Sequence, residues 1–182
     1  MKQVILNKPF STEEEYFAFE EKSELKHEYI DSTLFEMSGV SKYHNLVVIN
    51  LVVLLKSLLL GKDIELFVDG YKVRTSDGNF FYPDIIISQP GSQKYYTDKP
   101  TLIIEVLSDS TRAFDLADKF IQYRKSPTLE YYLCIEPEHT GVHFYYRNEE
   151  NEWQADIYNN KNDIINLPKL GIALPLKDIY QA

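Results

Sequence analysis

The chain has 182 residues, 44% hydrophobic and 26% charged, with seven glycines. That balance fits one folded domain spanning 1–182 with a substantial core, and excludes a disordered, fibrous or low-complexity chain. The formal charge of −9 argues against a general electrostatic grip on nucleic acid, which relies on many lysine and arginine contacts to phosphate. A local basic face or a bound divalent cation remains compatible with it.

The first ten residues, "MKQVILNKPF", lack the long apolar core and small-residue cleavage site of a signal peptide. Ser11 or Thr12, followed three residues later by Glu14 or Glu15, has capping-box spacing and predicts a short helix ending near Glu24. In "HEYIDSTLFEM" two strand-like runs flank Asp31-Ser32, which reads as a hairpin. Ser41 can cap a helix from Lys42 to about Leu60. Its apolar density predicts a central buried helix covered by protein over most of its circumference. Asn50 and Lys56 interrupt it and it falls short of a bilayer span, so no membrane is expected.

Gly61 stops that helix. The runs "IELFVDGYKVRT", "FFYPDIIIS" and "TLIIEVLS" follow as strands, with a three-strand meander the natural arrangement. Asp109, Ser110 or Thr111 can cap a helix through about Lys125, with Leu116, Phe120 and Tyr123 on one stripe. Pro127 ends it. "EYYLCIE", "GVHFYYR" and "EWQADIY" read as strands, and "LPKLGIALPLKDIY" as an irregular closing segment with a short helical turn. The single Cys134, in an apolar string, excludes an intramolecular disulfide; a buried thiol suits a reducing, cytoplasmic setting. The order predicts a mixed α/β (α+β) fold, a central β-sheet flanked by helices.

Glu105 stands in the apolar run "TLIIEVLS", where a carboxylate without a partner costs several kcal/mol, on the order of. Strand alternation puts Asp84 on a face with Tyr82 and Ile86, and Glu105 on a face with Ile103 and Leu107. An antiparallel register that brings Asp84 beside Glu105 sets two carboxylates together in an apolar sheet, and like charges so close cannot both ionise unaided. Mg²⁺ resolves the conflict: it takes oxygen ligands, often one or two carboxylates, and completes its shell with water and phosphate. Two residues after Glu105 the chain has Leu107 rather than lysine. The nearest ammonium is Lys119 on the following helix, beside the Leu116 and Tyr123 stripe.

In these residues the sequence resembles the restriction-endonuclease-like superfamily named for its PD-(D/E)XK motif, with Pro83-Asp84 and then Glu105. More closely it is similar to a large bacterial family of candidate endonucleases within it. The likeness lies in "HEYIDS…FEMSG", "YHN", "YPDIII", "IIEVLSDSTRAFDLADKFIQYRKSPTLEYYLCIEP" and "LPKLGIALPL", and spans nearly the whole chain. It implies a sheet between helices and a Mg²⁺-dependent (or Mn²⁺-dependent) endonuclease acting on DNA. It also implies metal at Asp84 and Glu105, catalysis by Asp84, Glu105 and Lys119 with Glu28 as an additional acid, and, by analogy with restriction enzymes, a homodimer. The chain departs from the pattern at Asp31-Ser32-Thr33, where relatives carry Asp-Gly-Glu, and at Leu107.

Each residue also has a plainer reading. Asp84 could be a strand-end turn residue, Glu105 an edge position or structural ion pair, and Glu28 part of a solvated hairpin edge. Lys119 could form a helix-surface pair with Asp115, four residues earlier. His44 and Asn45 could satisfy backbone groups at a helix start. His139 and His143 have a zinc-like spacing, but Gly141 and Val142 between them indicate a turn into a strand. Arg112, Arg124 and Lys125 are the candidate phosphate-facing patch. The competing functions are a catalytically inactive binding or oligomerisation module on the same fold, and a metal-dependent hydrolase of a small phosphorylated molecule.

Overall fold

In the computed structural model, which describes residues 4–7 and 10–181, the chain enters through a strand that the sequence reading did not foresee, β1 (Val4–Asn7). The expectation of no signal peptide rests partly on residues 1–3, 8 and 9, which lie outside those described. Helix α1 (Glu13–Glu20) is capped by Thr12, whose hydroxyl accepts the Glu15 N–H at 3.3 Å while Glu15 Oε2 accepts the Ser11 N–H at 2.8 Å. The helix stops short of Glu24. Strands β2 (His27–Ile30) and β3 (Thr33–Glu36) form the expected hairpin. Asp31 and Ser32 at its turn have φ of 47° and 63°, the left-handed pair that a two-residue hairpin turn requires.

Helix α2 (Lys42–Leu58) follows, with Ser41 accepting the His44 N–H at 3.2 Å. It buries a single stripe, His44, Val47, Leu51 and Leu55, against a central-sheet face of Ile85, Ile87, Leu102, Ile104 and Leu133. The expectation of cover over most of its circumference is corrected: Tyr43, Leu46 and Ile49 are exposed and Val53 is 67% exposed. One sheet face covers one helix face, and apolar density alone does not reveal how many layers surround a helix. Among the described residues no helix is long and apolar enough to cross a membrane.

The first two expected strands are each broken in two. β4 (Glu65–Val68) and β5 (Lys72–Arg74) part at Asp69-Gly70, both at positive φ. β6 (Phe80–Phe81) and β7 (Ile85–Ser88) part at Tyr82-Pro83-Asp84, where Pro83 has no N–H for a ladder. The short β8 (Tyr96–Thr97) precedes β9 (Pro100–Val106). The meander survives as β4, β7 and β9 in the central sheet, whereas β5 and β6 belong to a second sheet ordered β1-β3-β2-β6-β5-β8. Two sheets therefore meet where Pro83 divides the run.

Residues 112–123 form one helix, α3, in three stretches: Arg112–Phe114, a π-helical turn Asp115–Lys119, and Phe120–Tyr123. Thr111 precedes it but makes no side-chain cap. Strands β10 (Tyr131–Ile135), β11 (Val142–Arg147) and β12 (Trp153–Tyr158) complete a central sheet ordered β12-β11-β10-β9-β7-β4. It is mixed because β9 and β10 run parallel, the connection between them being α3. The closing segment is more regular than expected: β13 (Ile164–Leu167) and β14 (Ile172–Pro175) pair as a hairpin around a 3₁₀ turn, before helix α4 (Leu176–Ile179). This hairpin packs with α2 on one sheet face. On the other, Ile86, Ile103, Leu107, Tyr132 and the free thiol of Cys134 pack with Tyr123 of α3 and with Val73 and Phe81 of the second sheet.

Candidate active site

Strands β7 and β9 pair antiparallel with Ile85 opposite Ile104 and Ile86 opposite Ile103, and one further step of that register sets Asp84 opposite Glu105. Glu105 turns toward α3, and Asp84, just beyond β7, sits at the strand end beside it. Asp84 reaches across the gap: Oδ2 accepts the Val106 N–H at 2.6 Å, and Oδ1 lies 3.1 Å from His44 Nε2. Glu105 Oε1 accepts from Lys119 Nζ at 2.9 Å and from the Tyr123 hydroxyl at 3.2 Å. Lys119 Nζ also lies 3.2 Å from Glu28 Oε1 and 3.1 Å from Asp115 Oδ1. The structure thus brings Glu28, Asp84, Glu105 and Lys119 together. They line one cleft of about 230 Å³, whose outer wall is the stretch from Met37 to Val40.

Glu28 is 1% exposed and Glu28 Oε1 accepts the Tyr82 N–H at 3.3 Å, so it is no solvated hairpin edge. Behind it, Glu20 Oε1 accepts from the His27 N–H at 2.7 Å and from the Tyr82 hydroxyl at 2.9 Å, tying α1 to the strand that carries Glu28. Leu107 is buried among apolar side chains, leaving the ammonium to Lys119.

Four carboxylates against one ammonium make the cluster acidic. Burial pushes the Glu105 carboxyl up to about 8; Lys119 opposes the shift, while Asp115 and Asp84 add to it. For Lys119 burial pulls downward, but Glu105 and Asp115 outweigh it and hold the ammonium charged, well above the usual lysine range. Burial, with Glu105 next to it, raises the Tyr123 hydroxyl well above its ordinary value, so it remains a donor.

Among the described residues no three His, Cys, Asp or Glu side chains form a ready-made metal cage. The donor set is nonetheless all oxygen with a surplus of negative charge, and Asp84 and Glu105 flank the same cleft. That fits a hard cation of the Mg²⁺ type, which uses one or two carboxylates and fills its other positions with carbonyls, water or phosphate.

The other candidates separate. Arg112 pairs with the buried Glu136 and Lys125 with Asp77, so two of the three cations of the basic patch are engaged within the molecule. His143 lies on β11, its Nε2 3.9 Å from Glu136 Oε1. The His44 ring does not serve backbone groups at the helix start: Ser41 caps the His44 N–H, and the ring meets Asp84. Sequence reasoning missed Asp115, Tyr123 and Tyr82 as members of the site. For Asp115 a signal existed, since its spacing to Lys119 was read correctly as an ion pair but placed on the surface; Asp115 is 2% exposed.

The sequence profile of the family described as "Uma2: Putative restriction endonuclease" matches residues 13–177. The chain belongs to this family. That match takes in Glu28, Asp84, Glu105, Asp115 and Lys119 alike. Two relatives from Synechocystis sp. (strain ATCC 27184 / PCC 6803 / Kazusa) share its length. "Uncharacterized protein slr1290" is 30% identical over 177 residues, 95% of this chain and 93% of the relative. "Uncharacterized protein sll1609" is 32% identical over 157 residues, 82% and 88%. The crystal structure of "a putative nuclease belonging to DUF820" from Anabaena variabilis ATCC 29413 superposes with a TM-score of 0.73, covering 91% of this chain and 96% of that one. At 15% identity it establishes a shared fold.

Proposed function

We propose that the protein is a Mg²⁺-dependent endonuclease that hydrolyses DNA phosphodiester bonds. The observation that carries this reading is the convergence of Asp84, Glu105 and Lys119 at one cleft, with Lys119 Nζ 2.9 Å from Glu105 Oε1. Asp84 and Glu105 would hold the cation, with Mn²⁺ able to replace Mg²⁺. When bound, the cation activates water and polarises the phosphoryl oxygen. Lys119, kept charged, donates hydrogen bonds to the attacking water or to a non-bridging phosphate oxygen as negative charge builds there. Hydrolysis adds the hydroxyl of water to phosphorus and a proton to the departing sugar oxygen. Glu28 holds the lysine from the hairpin side. A cytoplasmic homodimer, each copy cutting one strand, is part of the same reading.

The test pairs calorimetric titration of Mn²⁺ with cleavage of supercoiled plasmid in Mg²⁺. Wild type should bind and nick; Asp84→Ala and Glu105→Ala should lose both properties, and Lys119→Ala should bind metal without cutting. Equal metal binding by all four proteins would overturn the assignment.

A second reading, a catalytically inactive binding or oligomerisation module, draws support from the net charge of −9 and from the exposed apolar stripe of α2. It predicts stable self-association with no cleavage under any metal.

A further inference from the structure

Lys119 meets three carboxylates that are not equivalent. Its ammonium has three N–H bonds, and Glu105 Oε1, Glu28 Oε1 and Asp115 Oδ1 surround it at 2.9, 3.2 and 3.1 Å. Glu105 stands next to Asp84 and is the acid a cation would claim. Asp115 approaches from the lysine's own helix. Among the described residues its buried Oδ1 accepts no hydrogen bond, and the ammonium of Lys119, 3.1 Å away, is the cation paired with it.

The backbone of Asp115 is held as firmly as its side chain is enclosed. In a π turn the N–H bonds shift one residue further along, and two tyrosines of the central sheet bond to carbonyls of this turn. Tyr132 donates to the Asp115 carbonyl at 2.7 Å and Tyr145 to the Leu116 carbonyl at 3.3 Å. The turn that presents Asp115 and Lys119 is therefore fixed to β10 and β11, independently of Glu105.

A divalent cation on Glu105 would repel an ammonium beside it and also remove one of its three acids. Lys119 can remain at the cleft only if other negative charge holds it. We propose that Asp115 is a positioning residue: with Glu28 it tethers Lys119 when Glu105 is engaged elsewhere, leaving the third N–H of the ammonium for water or phosphate. The identity of cation and substrate rests on the nuclease reading, whereas the tether can be tested without either.

Substituting Glu105→Gln removes the charge that a cation would take up. In metal-free protein the ¹⁵Nζ cross-peak of an ordered Lys119 ammonium, assigned through Lys119→Arg, should persist in Glu105→Gln. It should vanish in Glu105→Gln/Asp115→Asn, with far-UV circular dichroism unchanged. Asp115→Ser serves if the asparagine variant does not fold. Loss of the peak in Glu105→Gln alone, or its survival in the double variant, would overturn the tether.

In the active protein, Asp115→Asn should lower kcat about tenfold or more while KM and the Mn²⁺ Kd hold, and Asp115→Glu should recover part of the rate. Loss of Mn²⁺ binding in Asp115→Asn would make Asp115 a ligand and overturn the positioning role. If wild type neither binds Mn²⁺ nor cuts DNA, the nuclease reading falls, and the cross-peak still decides the tether.

Discussion

His44 and Asp84 meet across the end of the central sheet, ring Nε2 3.1 Å from Oδ1, while the other oxygen of Asp84 takes the Val106 N–H at 2.6 Å. The carboxylate is thus aimed from both sides, by α2 and by the strand that carries Glu105. Groups that orient a metal ligand typically change affinity about 10–100-fold when removed. His44→Ala is expected to weaken Mn²⁺ binding about tenfold by calorimetry, with His44→Gln weakening it less. Unchanged affinity would remove His44 from the site.

The Glu105 carboxyl is raised by burial from its ordinary 4.5 to about 8. Between those values the folded, metal-free protein keeps a proton that the unfolded chain gives up, so stability falls as pH rises. The stabilising contribution is complete below about 4.5 and is lost as pH passes about 8. Denaturant unfolding in EDTA should show this decline, and Glu105→Gln should flatten it. An equal slope in both proteins would locate the titration elsewhere.

Leu107 occupies the position where the superfamily motif carries its lysine, and it is buried in an apolar cluster with Tyr123 and Cys134. An ammonium placed there lacks a partner, so Leu107→Lys should destabilise the protein by about 3 kcal/mol or more. It should not restore cleavage to Lys119→Ala. Recovery of plasmid nicking in the double variant would show that the strand position can still reach the site.

The exposed stripe of Tyr43, Leu46, Ile49 and Val53 lies on the face of α2 turned away from the sheet. If the protein is a homodimer through this stripe, Val53→Glu should yield a monomer in light scattering with an unchanged melting temperature of the monomeric fold. A dimer that survives the substitution would move the interface off this helix.

Much of the site could be read from one-dimensional pattern. Strand alternation and an antiparallel register were enough to bring Asp84 to Glu105, and the packed stripe of the next helix was enough to point Lys119 at Glu105. Asp115 escaped because a pair four residues apart is usually solvated, and nothing in the spacing says that this one will be buried. The same limit explains α2: apolar density gives the existence of the helix but not which of its faces meets a sheet. The split runs at Asp69-Gly70 and Pro83 show another, since periodicity identifies a strand but not the sheet it will join.

The π turn at Asp115–Lys119 gives the site an unusual sensitivity to sequence length. Each residue advances a helix by about 100°, so deleting a single one within that turn would leave Asp115 and Lys119 neighbours at i,i+3 but rotate the two halves of α3 against each other, and the bonds from Tyr132 and Tyr145 could no longer be kept together with the packing of Tyr123. Shortening the chain by one residue there would unseat the helix behind the cleft without touching its acids, a form of damage that no survey of point substitutions would uncover.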